Sequence, residues 1–425
     1  MKITSYQDYL KEINQKSEKF DRKTDDIVLD IIQNVRTNGD SAIFEYAKAF
    51  DKVSLDSLVV TEEEMLEANE LVSDKFKNAM TKAAKNITEF HEKQVEQSWY
   101  YNKPNGIMLG QQVTPLDRIG VYVPGGKAAY PSTVLMNVLP AKIAGVEEIY
   151  MTTPPQSDGK INPHVLFAAQ LAGVKTIYKM GGAQAVAALA YGTETVQKVD
   201  KIVGPGNVFV ARAKKWVYGD VAIDMIAGPS EICVVADETC KPDFIAADLL
   251  SQAEHDEQAR AICIVTNEET AIAIQEEVQK QLSKLDRTEI ASISIRDHGV
   301  IIIAGDLTDA FELVNRIAPE HLQLMFANAT DYLADIKHAG AIFIGNYSPE
   351  PLGDYFAGPN HTLPTSGTAR FASPLGVYDF MKKSSIIRYS KEALNESADD
   401  IIEIATMEGL TAHAESIKIR QMKGD

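Results

Sequence analysis

The feature that most constrains the fold is an alternation of short β-branched segments with alanine-rich segments, which begins near Ile119. It predicts nine strands, at residues 119–123, 148–152, 176–180, 201–203, 232–236, 262–265, 300–304, 322–326 and 341–344. Helices are predicted between them, at residues 131–144, 163–172, 183–190, 208–217, 242–258, 267–285, 306–317 and 329–338. Such alternation indicates parallel sheets with right-handed crossovers. Nine strands are many for one sheet, so we expect an α/β fold with two incomplete Rossmann-like parallel-sheet domains.

The remaining segments are expected to form helical arms. A capping-box-like start at Thr61 predicts a long helical run to near Gln94. We expect residues 1–20 to form an N-terminal helical arm and residues 375–425 a C-terminal helical tail. Residues 21–121 and 235–374 are expected to form one α/β domain, into which residues 122–234 are inserted as the second. The active site is expected in the cleft between these domains.

Composition excludes several classes of function. The 425 residues carry 42 Lys and Arg against 60 Asp and Glu, a net charge of −18, and such an acidic chain repels nucleic acid. No apolar run approaches the roughly 20 residues of a membrane span, and the polar N-terminus does not resemble a secretion signal. Three cysteines without a C-x-x-C pattern are typical of the reducing cytoplasm.

Gln252 and His255 lie near the end of a predicted helix and are three residues apart, so they share one helical face. This geometry can present two ligands to a metal ion. The alternative is a polar helix end that faces solvent.

Glu320 and His321 lie between a predicted helix and a predicted strand, after a turn that Pro319 fixes. An adjacent acid and imidazole at a strand edge can serve as paired proton-transfer groups. The alternative is a structural histidine whose ring is capped by its neighbours.

Residues 346–367 form a predicted loop rich in Gly, Pro, Ser and Asn that carries Asp354, Asn360 and His361. Irregular loops of this length are uncommon inside a compact α/β chain and are often functional. The alternative is a plain surface loop.

Three glycine-rich turns follow predicted strands, at residues 125–126, 181–182 and 203–207. Backbone N–H groups in such turns can bind a phosphate. None of them completes a G-x-G-x-x-G pattern, because Phe209 stands where the third glycine would be. Ordinary crossover turns are therefore an equal alternative.

Cys233 lies inside a predicted strand, where a thiol is usually buried and inert. We therefore do not expect a cysteine nucleophile. Surface positions are expected for four further histidines, His91, His164, His298 and His338.

Seven ordered blocks of the sequence together resemble histidinol dehydrogenase. They are residues 118–130 (RIGVYVPGGKAAY), 204–207 (GPGN), 227–231 (AGPSE), 250–255 (LSQAEH), 318–322 (APEHL), 353–362 (GDYFAGPNHT) and 371–376 (FASPLG). The resemblance covers the chain from about residue 20 to its end. It implies the final two oxidations of histidine biosynthesis, from L-histidinol through L-histidinaldehyde to L-histidine, with two NAD and one water.

The resemblance also implies cofactors and site residues. One zinc ion per site would be held by Gln252, His255, Asp354 and His413. The substrate would contact these four ligands and also Ser230, His321, His361 and Glu408. NAD would contact Tyr122, Gln184 and Asn207. Glu320 and His321 would form the proton-transfer pair, with His321 as general base and Glu320 activating the water.

This residue set is chemically consistent with the implied reaction. Two imidazoles, a carboxylate and an amide oxygen suit zinc, which has no redox chemistry and would orient the substrate. One alternative is a dehydrogenase of the same fold that acts on another alcohol, such as a sulfonated diol, and another is a zinc hydrolase with Glu320 as base. The residues that would hold the substrate imidazole are all present, which favours histidinol over these alternatives. They are Gln252, His255, Asp354, Glu408 and His413.

The resemblance further implies an intertwined homodimer. The tail has one apolar face but no core of its own, and this face carries Ile401, Ile402, Ile404, Ala405 and Leu410. We expect Glu408 and His413 of this tail to complete the active site of the partner chain. No nucleic acid or membrane partner is expected.

Overall fold

The computed structural model of the chain describes residues 1–15, 22–125 and 129–422. Gly126 of the first glycine-rich turn and residues 16–20 of the expected arm lie outside the described residues. The chain divides into two compact units. The first comprises Met1–Gln94 and Leu116–Phe380, and the second comprises Val95–Pro115 and Met381–Asp425.

The strands are β1 (Lys2–Ser5), β2 (Trp99–Asn102), β3 (Met108–Pro115), β4 (Arg118–Tyr122), β5 (Glu148–Thr153), β6 (Thr176–Lys179), β7 (Lys201–Val203), β8 (Ala222–Ile223), β9 (Glu231–Ala236), β10 (Arg260–Val265), β11 (Val300–Ile303), β12 (His321–Met325), β13 (Ala341–Ile344) and β14 (Met381–Arg388). The nine predicted strands are confirmed to within two residues at either end.

The helices are α1 (Tyr6–Gln15), α2 (Arg22–Tyr46), α3 (Glu62–Leu71), α4 (Asp74–His91), α5 (Pro131–Ala144), α6 (Pro163–Ala172), α7 (Gly182–Tyr191), α8 (Val208–Val217), α9 (Pro242–Ala253), α10 (Glu268–Leu282), α11 (Thr288–Asp297), α12 (Leu307–Ile317), α13 (Glu350–Tyr355), α14 (Lys391–Met407) and α15 (Thr411–Met422). The long run predicted from Thr61 is broken into α3 and α4. Ser73 caps the second of these, because its Oγ accepts a hydrogen bond from the backbone N–H of Phe76 at 3.3 Å. Such a cap typically contributes about 1 kcal/mol.

The first unit contains a six-stranded parallel sheet in the order β1-β11-β10-β9-β12-β13. Alternate residues of its strands face opposite sides. Ile232 and Val234 pack with α9, α10 and α11, whereas Cys233 and Val235 pack with α1 and α12. Coverage of both faces explains why the central strands are almost continuously apolar.

A five-stranded parallel sheet in the order β6-β5-β4-β7-β8 forms the other half of the first unit. Helices α7 and α8 belong to its core, and α2 packs against both of them. The two separate parallel sheets confirm the predicted fold class.

The packing of α2 differs from the predicted domain assignment. Residues 21–121 were expected to belong with residues 235–374, but the apolar face of α2 joins the core of the five-stranded sheet. This face carries Val28, Ile31, Ile32 and Val35. The spacing of these residues shows that one face is apolar, but it carries no information about which sheet that face meets.

The expected N-terminal helical arm was only partly right. Lys2–Ser5 forms an edge strand that pairs in parallel with β11, and α1 follows it. Four residues with a single large apolar side chain, Ile3, give too short a pattern to separate a strand from a helix.

The second unit combines a three-stranded antiparallel sheet, in the order β14-β3-β2, with two helices that pack against each other. Helices α14 and α15 are separated at Gly409, whose φ of +74° lies in the left-handed region that favours glycine. The helical part of the tail is thus confirmed. Strand β14, which the sequence did not predict, precedes these helices within residues 375–425. Among the helices of the described ranges, none is both long and apolar enough to cross a membrane.

Candidate active site

Glu320 and His321 lie at the amino end of the six-stranded sheet. His321 is the first residue of β12 and lies opposite Ile232, near the start of the adjacent strand β9. Helix α9 follows β9 and packs back against it, so its last turn brings Gln252 to the same edge. The usual ligand position in α/β sheets is the carboxyl end, so this site lies at the opposite end of its sheet.

The ring of His321 is held in one tautomer. Its Nδ1 lies 2.9 Å from the backbone oxygen of Glu231, and a carbonyl oxygen can only accept a hydrogen bond. Nδ1 therefore carries the proton, and Nε2 of the neutral ring keeps a free lone pair. Nε2 is buried and has no hydrogen-bond partner. The neutral form of His321 can therefore accept a proton at Nε2.

Three carboxylates surround this imidazole. Nε2 of His321 lies 3.8 Å from both Glu350 Oε1 and Asp354 Oδ1, and Nδ1 lies 3.7 Å from Glu320 Oε2. Burial alone would lower the pKa of His321, but the carboxylates outweigh it and raise the pKa to about 10. Burial would raise the pKa of Asp354, yet the imidazoles of His321 and His361 hold it well below its usual range.

Glu320 is also buried and fixed. Its Oε2 accepts a hydrogen bond from the backbone N–H of Glu231 at 2.8 Å. Burial raises the pKa of Glu320 to about 7, although His321 and this hydrogen bond act in the opposite direction. A carboxyl group whose pKa lies near neutrality suits a general base.

Gln252 and His255 adjoin each other at the end of α9, as their spacing predicts. The side chain of Gln252 is fully buried, and its Oε1 has no hydrogen-bond partner. Its Nε2 lies 3.4 Å from His255 Nδ1. Burial lowers the pKa of His255, which favours the neutral ring that binds metals. A buried, unpartnered amide oxygen beside a neutral imidazole and Asp354 fits a divalent cation.

The loop at residues 346–367 is not a plain surface loop. It contains α13, which carries Asp354, and it crosses to α5 of the five-stranded half. His361 Nδ1 donates to the backbone oxygen of Asp354 at 2.9 Å, and His361 Nε2 lies 3.2 Å from Thr133 Oγ1. Asn360 is buried and donates to the backbone oxygen of Met136 at 2.6 Å, so its role is structural.

A single region of the first unit therefore gathers most of the site residues expected from the sequence, namely Gln252, His255, Glu320, His321, Asp354 and His361. Ser230 directly precedes β9 and is half-buried. Glu408 and His413 belong to the second unit, where they lie on either side of Gly409 and are exposed.

A cavity of about 830 Å³ lies at the carboxyl end of the five-stranded sheet, and Tyr122, Gln184 and Asn207 line it. The hydroxyl of Tyr122, the last residue of β4, accepts a hydrogen bond from Gly182 N–H at 3.0 Å. Asn207 Oδ1 accepts from the first N–H groups of α8. Side chains therefore satisfy several of the N–H groups that the glycine-rich turns present. The size of the cavity and its largely apolar lining with a few polar groups fit part of a dinucleotide.

Gly204 is required at the turn after β7. Its φ is +110°, and a Cβ atom there would lie 2.1 Å from the backbone oxygen of Tyr122. The buried ammonium of Lys214 donates to the backbone oxygen of Gly204 at 2.9 Å and also pairs with Asp224. This buried ion pair fixes the turn that borders the cavity.

Two predictions about other residues have opposite outcomes. Cys233 is buried, and burial raises the pKa of its thiol to about 12, which confirms an inert thiol. The surface position expected for His91 is wrong: its ring is fully buried, with Nδ1 donating to the backbone oxygen of Ile87 at 2.8 Å.

Glu350 is the main site residue that the sequence did not reveal. It is only 2% exposed, its Oε1 has no partner, and the coulombic effect of Asp354 adds to burial in raising its pKa to about 8. The signal that could have found it is its spacing of four residues from Asp354, which places both on one helical face. Pro349 and Pro351, which flank it, favoured a loop instead.

Comparison with known proteins gives consistent matches along the chain. A family model described as "Histidinol dehydrogenase" matches residues 14–421. The chain is 54% identical to the histidinol dehydrogenase of Oceanobacillus iheyensis over 99% of each protein. It is 56% identical to that of Bacillus subtilis over 95% of this chain and 93% of the relative. The crystal structure of histidinol dehydrogenase from Elizabethkingia anophelis superposes with a TM-score of 0.94 at 39% identity, covering 99% of this chain and 97% of that one.

Proposed function

This chain belongs to the histidinol dehydrogenase family, and on that premise we propose that it oxidises L-histidinol through L-histidinaldehyde to L-histidine, using two NAD and one water. Histidine biosynthesis is the pathway that this reaction serves. The observation that carries the proposal is the buried, unpartnered Nε2 of His321, which lies 3.8 Å from both Glu350 Oε1 and Asp354 Oδ1.

An assay of turnover tests the proposal directly. The protein is incubated with histidinol and NAD, and both NADH absorbance and histidine are measured. Two NADH should form for each histidine. NADH formation from an alcohol without an imidazole, with none from histidinol, would assign the protein to a different substrate.

We propose that Gln252, His255 and Asp354 would hold zinc in the first unit, with His413 as the fourth ligand. The unpartnered oxygen of Gln252 and the excess of carboxylates around His321 support this assignment. Zinc, when bound, would supply an anchor for the imidazole and amine nitrogens of histidinol. Glu350 lies at the same place, and a bound cation would favour the ionised form of this carboxyl group, whose pKa burial and Asp354 raise.

Proton transfer in the first oxidation is assigned to His321. The proton of the substrate hydroxyl passes to Nε2, while Nδ1–H stays bonded to the backbone oxygen of Glu231. NAD, when bound, would supply the acceptor for the hydride of the substrate carbon. The carbonyl of Glu231 and the charge of Glu320 stabilise the imidazolium that forms.

In the second oxidation, Glu320 removes a proton from the water that attacks the aldehyde carbon. Its Oε2 is committed to the N–H of Glu231, so Oε1 is the oxygen that takes this proton. As the water adds, the imidazolium of His321 gives its proton to the carbonyl oxygen, which forms the gem-diol and returns Nε2 to its neutral state. Nε2 then accepts a proton from the gem-diol as the second hydride leaves. A water nucleophile makes a cysteine unnecessary, consistent with the inert thiol of Cys233.

Replacement of Glu320 by Gln is expected to slow mainly the second oxidation, by about 10²-fold or more, because a general base typically contributes 10²–10⁴-fold. The amide can still bond the N–H of Glu231, so the fold should be retained. Rates are measured separately from histidinol and from histidinaldehyde. Equal slowing of the two steps would remove the assignment of water activation to Glu320.

Replacement of His255 or Asp354 by Asn is expected to lower zinc content and activity together. Loss of a residue that only holds a ligand in place typically lowers metal affinity by about 10–100-fold, so loss of a ligand itself should cost at least as much. Metal analysis of the purified protein gives a readout independent of turnover. Asp331→Asn, which removes an exposed carboxylate, is the matched control and should keep its metal. Full metal content with weakened NAD binding would contradict the ligand assignment.

We also propose a homodimer in which Glu408 and His413 serve the partner's site, and a cytoplasmic location. Both residues are exposed within one chain, as are Ile404 and Leu410 of the same tail, and exposed apolar groups of this kind favour an interface. Three free cysteines support the location.

A further inference from the structure

The cavity at the carboxyl end of the five-stranded sheet contains a carboxylate that the proposed reaction does not use. Asp51 lines this cavity together with Tyr122, Gln184 and Asn207. Its Oδ2 is buried and has no hydrogen-bond partner. A buried acceptor without a donor is costly, and a ligand in the cavity that supplies a donor would remove this cost.

The local backbone holds Asp51 in place. It is the last residue of a π-helical turn, Ala47–Asp51, that extends α2, and Lys52 after it is left-handed with a φ of +61°. The Lys52 ammonium donates to the backbone oxygen of Ala49 at 2.7 Å, and no ion pair with Asp51 is formed within the described ranges. Asp51 therefore lines the cavity without a paired cation among the described residues.

The lining of the cavity determines which ligand group suits Asp51. Phe50, Phe209 and Ile27 provide an apolar wall for a flat base. Asp51 is the one charged side chain among the described residues of the lining, which include no Lys or Arg. A ribose hydroxyl can donate to this carboxylate, whereas a phosphate at the same position would meet an unneutralised negative charge.

The adenosine end of the dinucleotide is the part that fits here. None of the described lining residues belongs to the proton-transfer pair or to the proposed metal ligands. The nicotinamide end has to reach His321, so it must extend beyond this cavity and leave the adenosine end inside.

We propose that Asp51 accepts a hydrogen bond from the 2′ hydroxyl of the adenosine ribose and thereby selects NAD against NADP. The inference rests on the proposed use of NAD. It assigns to Asp51 a specificity-determining role, distinct from the contacts of Tyr122, Gln184 and Asn207. Burial raises the pKa of Asp51 to about 6, so the carboxylate is charged above neutral pH.

Fluorescence titration of the holoenzyme with NADH and NADPH measures binding without turnover. Asp51→Asn should weaken NADH binding by about 10-fold, the lower part of the range for a hydrogen bond to a charged group, and should strengthen NADPH binding. The NADH-to-NADPH affinity ratio should fall by about 100-fold. Asp56→Asn, which removes an exposed carboxylate outside the lining, should leave the ratio unchanged.

A modified cofactor isolates the contact itself. The wild-type protein should bind 2′-deoxy-NADH about 10-fold more weakly than NADH, and Asp51→Asn should lose most of this difference. Asp51→Ser, which leaves room for the 2′-phosphate, provides a second variant if Asp51→Asn unfolds. The proposal would be overturned if folded variants kept the wild-type ratio of NADH to NADPH affinity. It would also be overturned if Asp51→Asn still bound 2′-deoxy-NADH about 10-fold more weakly than NADH. Absence of NADH binding in the wild type would overturn the proposed function as well, which separates the two failures.

Discussion

Replacing His321 by Asn is expected to slow both oxidations by about 10²–10⁴-fold, the usual contribution of a general base. The Asn side chain can still donate to the backbone oxygen of Glu231, but it has no basic nitrogen in place of Nε2. Both steps release a hydroxyl proton to that nitrogen, so both should suffer. Stopped-flow or steady-state rates from histidinol and from histidinaldehyde measure the two steps separately.

Binding measurements separate this loss from a structural one. The His321→Asn protein should keep its NADH affinity, because His321 does not line the cofactor cavity, and it should unfold at a similar temperature. If His321→Asn slowed only one of the two oxidations, a group other than His321 would be the base in the unaffected oxidation. Comparison with Glu320→Gln, which is expected to affect mainly the second step, makes the two roles distinguishable in one series.

Mixed dimers are expected to recover activity from two inactive proteins. His413→Ala and His321→Ala should each be inactive, because one lacks a zinc ligand and the other lacks the base. If His413 reaches the partner's site, a mixed dimer has one site with both changes and one site with neither. Random pairing after joint refolding makes half of the dimers mixed, so about a quarter of wild-type activity should return.

A matched mixture controls this experiment. His321→Ala refolded with Asp354→Ala should recover nothing, because both residues come from the first unit and each site of a mixed dimer keeps one lesion. If the mixture of His413→Ala and His321→Ala also recovers no activity, although mixed dimers are shown to form, His413 belongs to the site of its own chain. Metal content measured in parallel shows whether the restored site also regains zinc.

The sequence predicted the central strands of the fold well because both faces of each parallel sheet are covered. Strands such as β9 and β11 are then almost wholly apolar, and their length separates them from the helices. Strand β1 and strand β14 escaped this reasoning for a physical reason. They lie at sheet edges, and residues such as Lys2, Lys382 and Lys383 interrupt the pattern.

The site was predictable to the extent that its residues adjoin recognisable elements. Glu320 and His321 follow a proline-fixed turn, and Gln252 and His255 share one helix end, so their chemistry could be proposed from spacing. For Glu350 the spacing from Asp354 was a usable signal that the flanking prolines obscured, whereas no comparable pattern marks Asp51. The importance of Glu350 and Asp51 depends on burial without a partner, which arises only when distant segments pack together.

The positions of the two functional regions divide the chain into separate modules. The residues around the cofactor cavity all precede residue 210, and those around His321 in the first unit all follow residue 229. The contacts of His361 with Thr133 and of Asn360 with Met136 connect the two regions. If the cavity binds the proposed dinucleotide, we expect substitutions in its lining to change the cofactor preference while the contacts of His321 and Glu320 stay as they are.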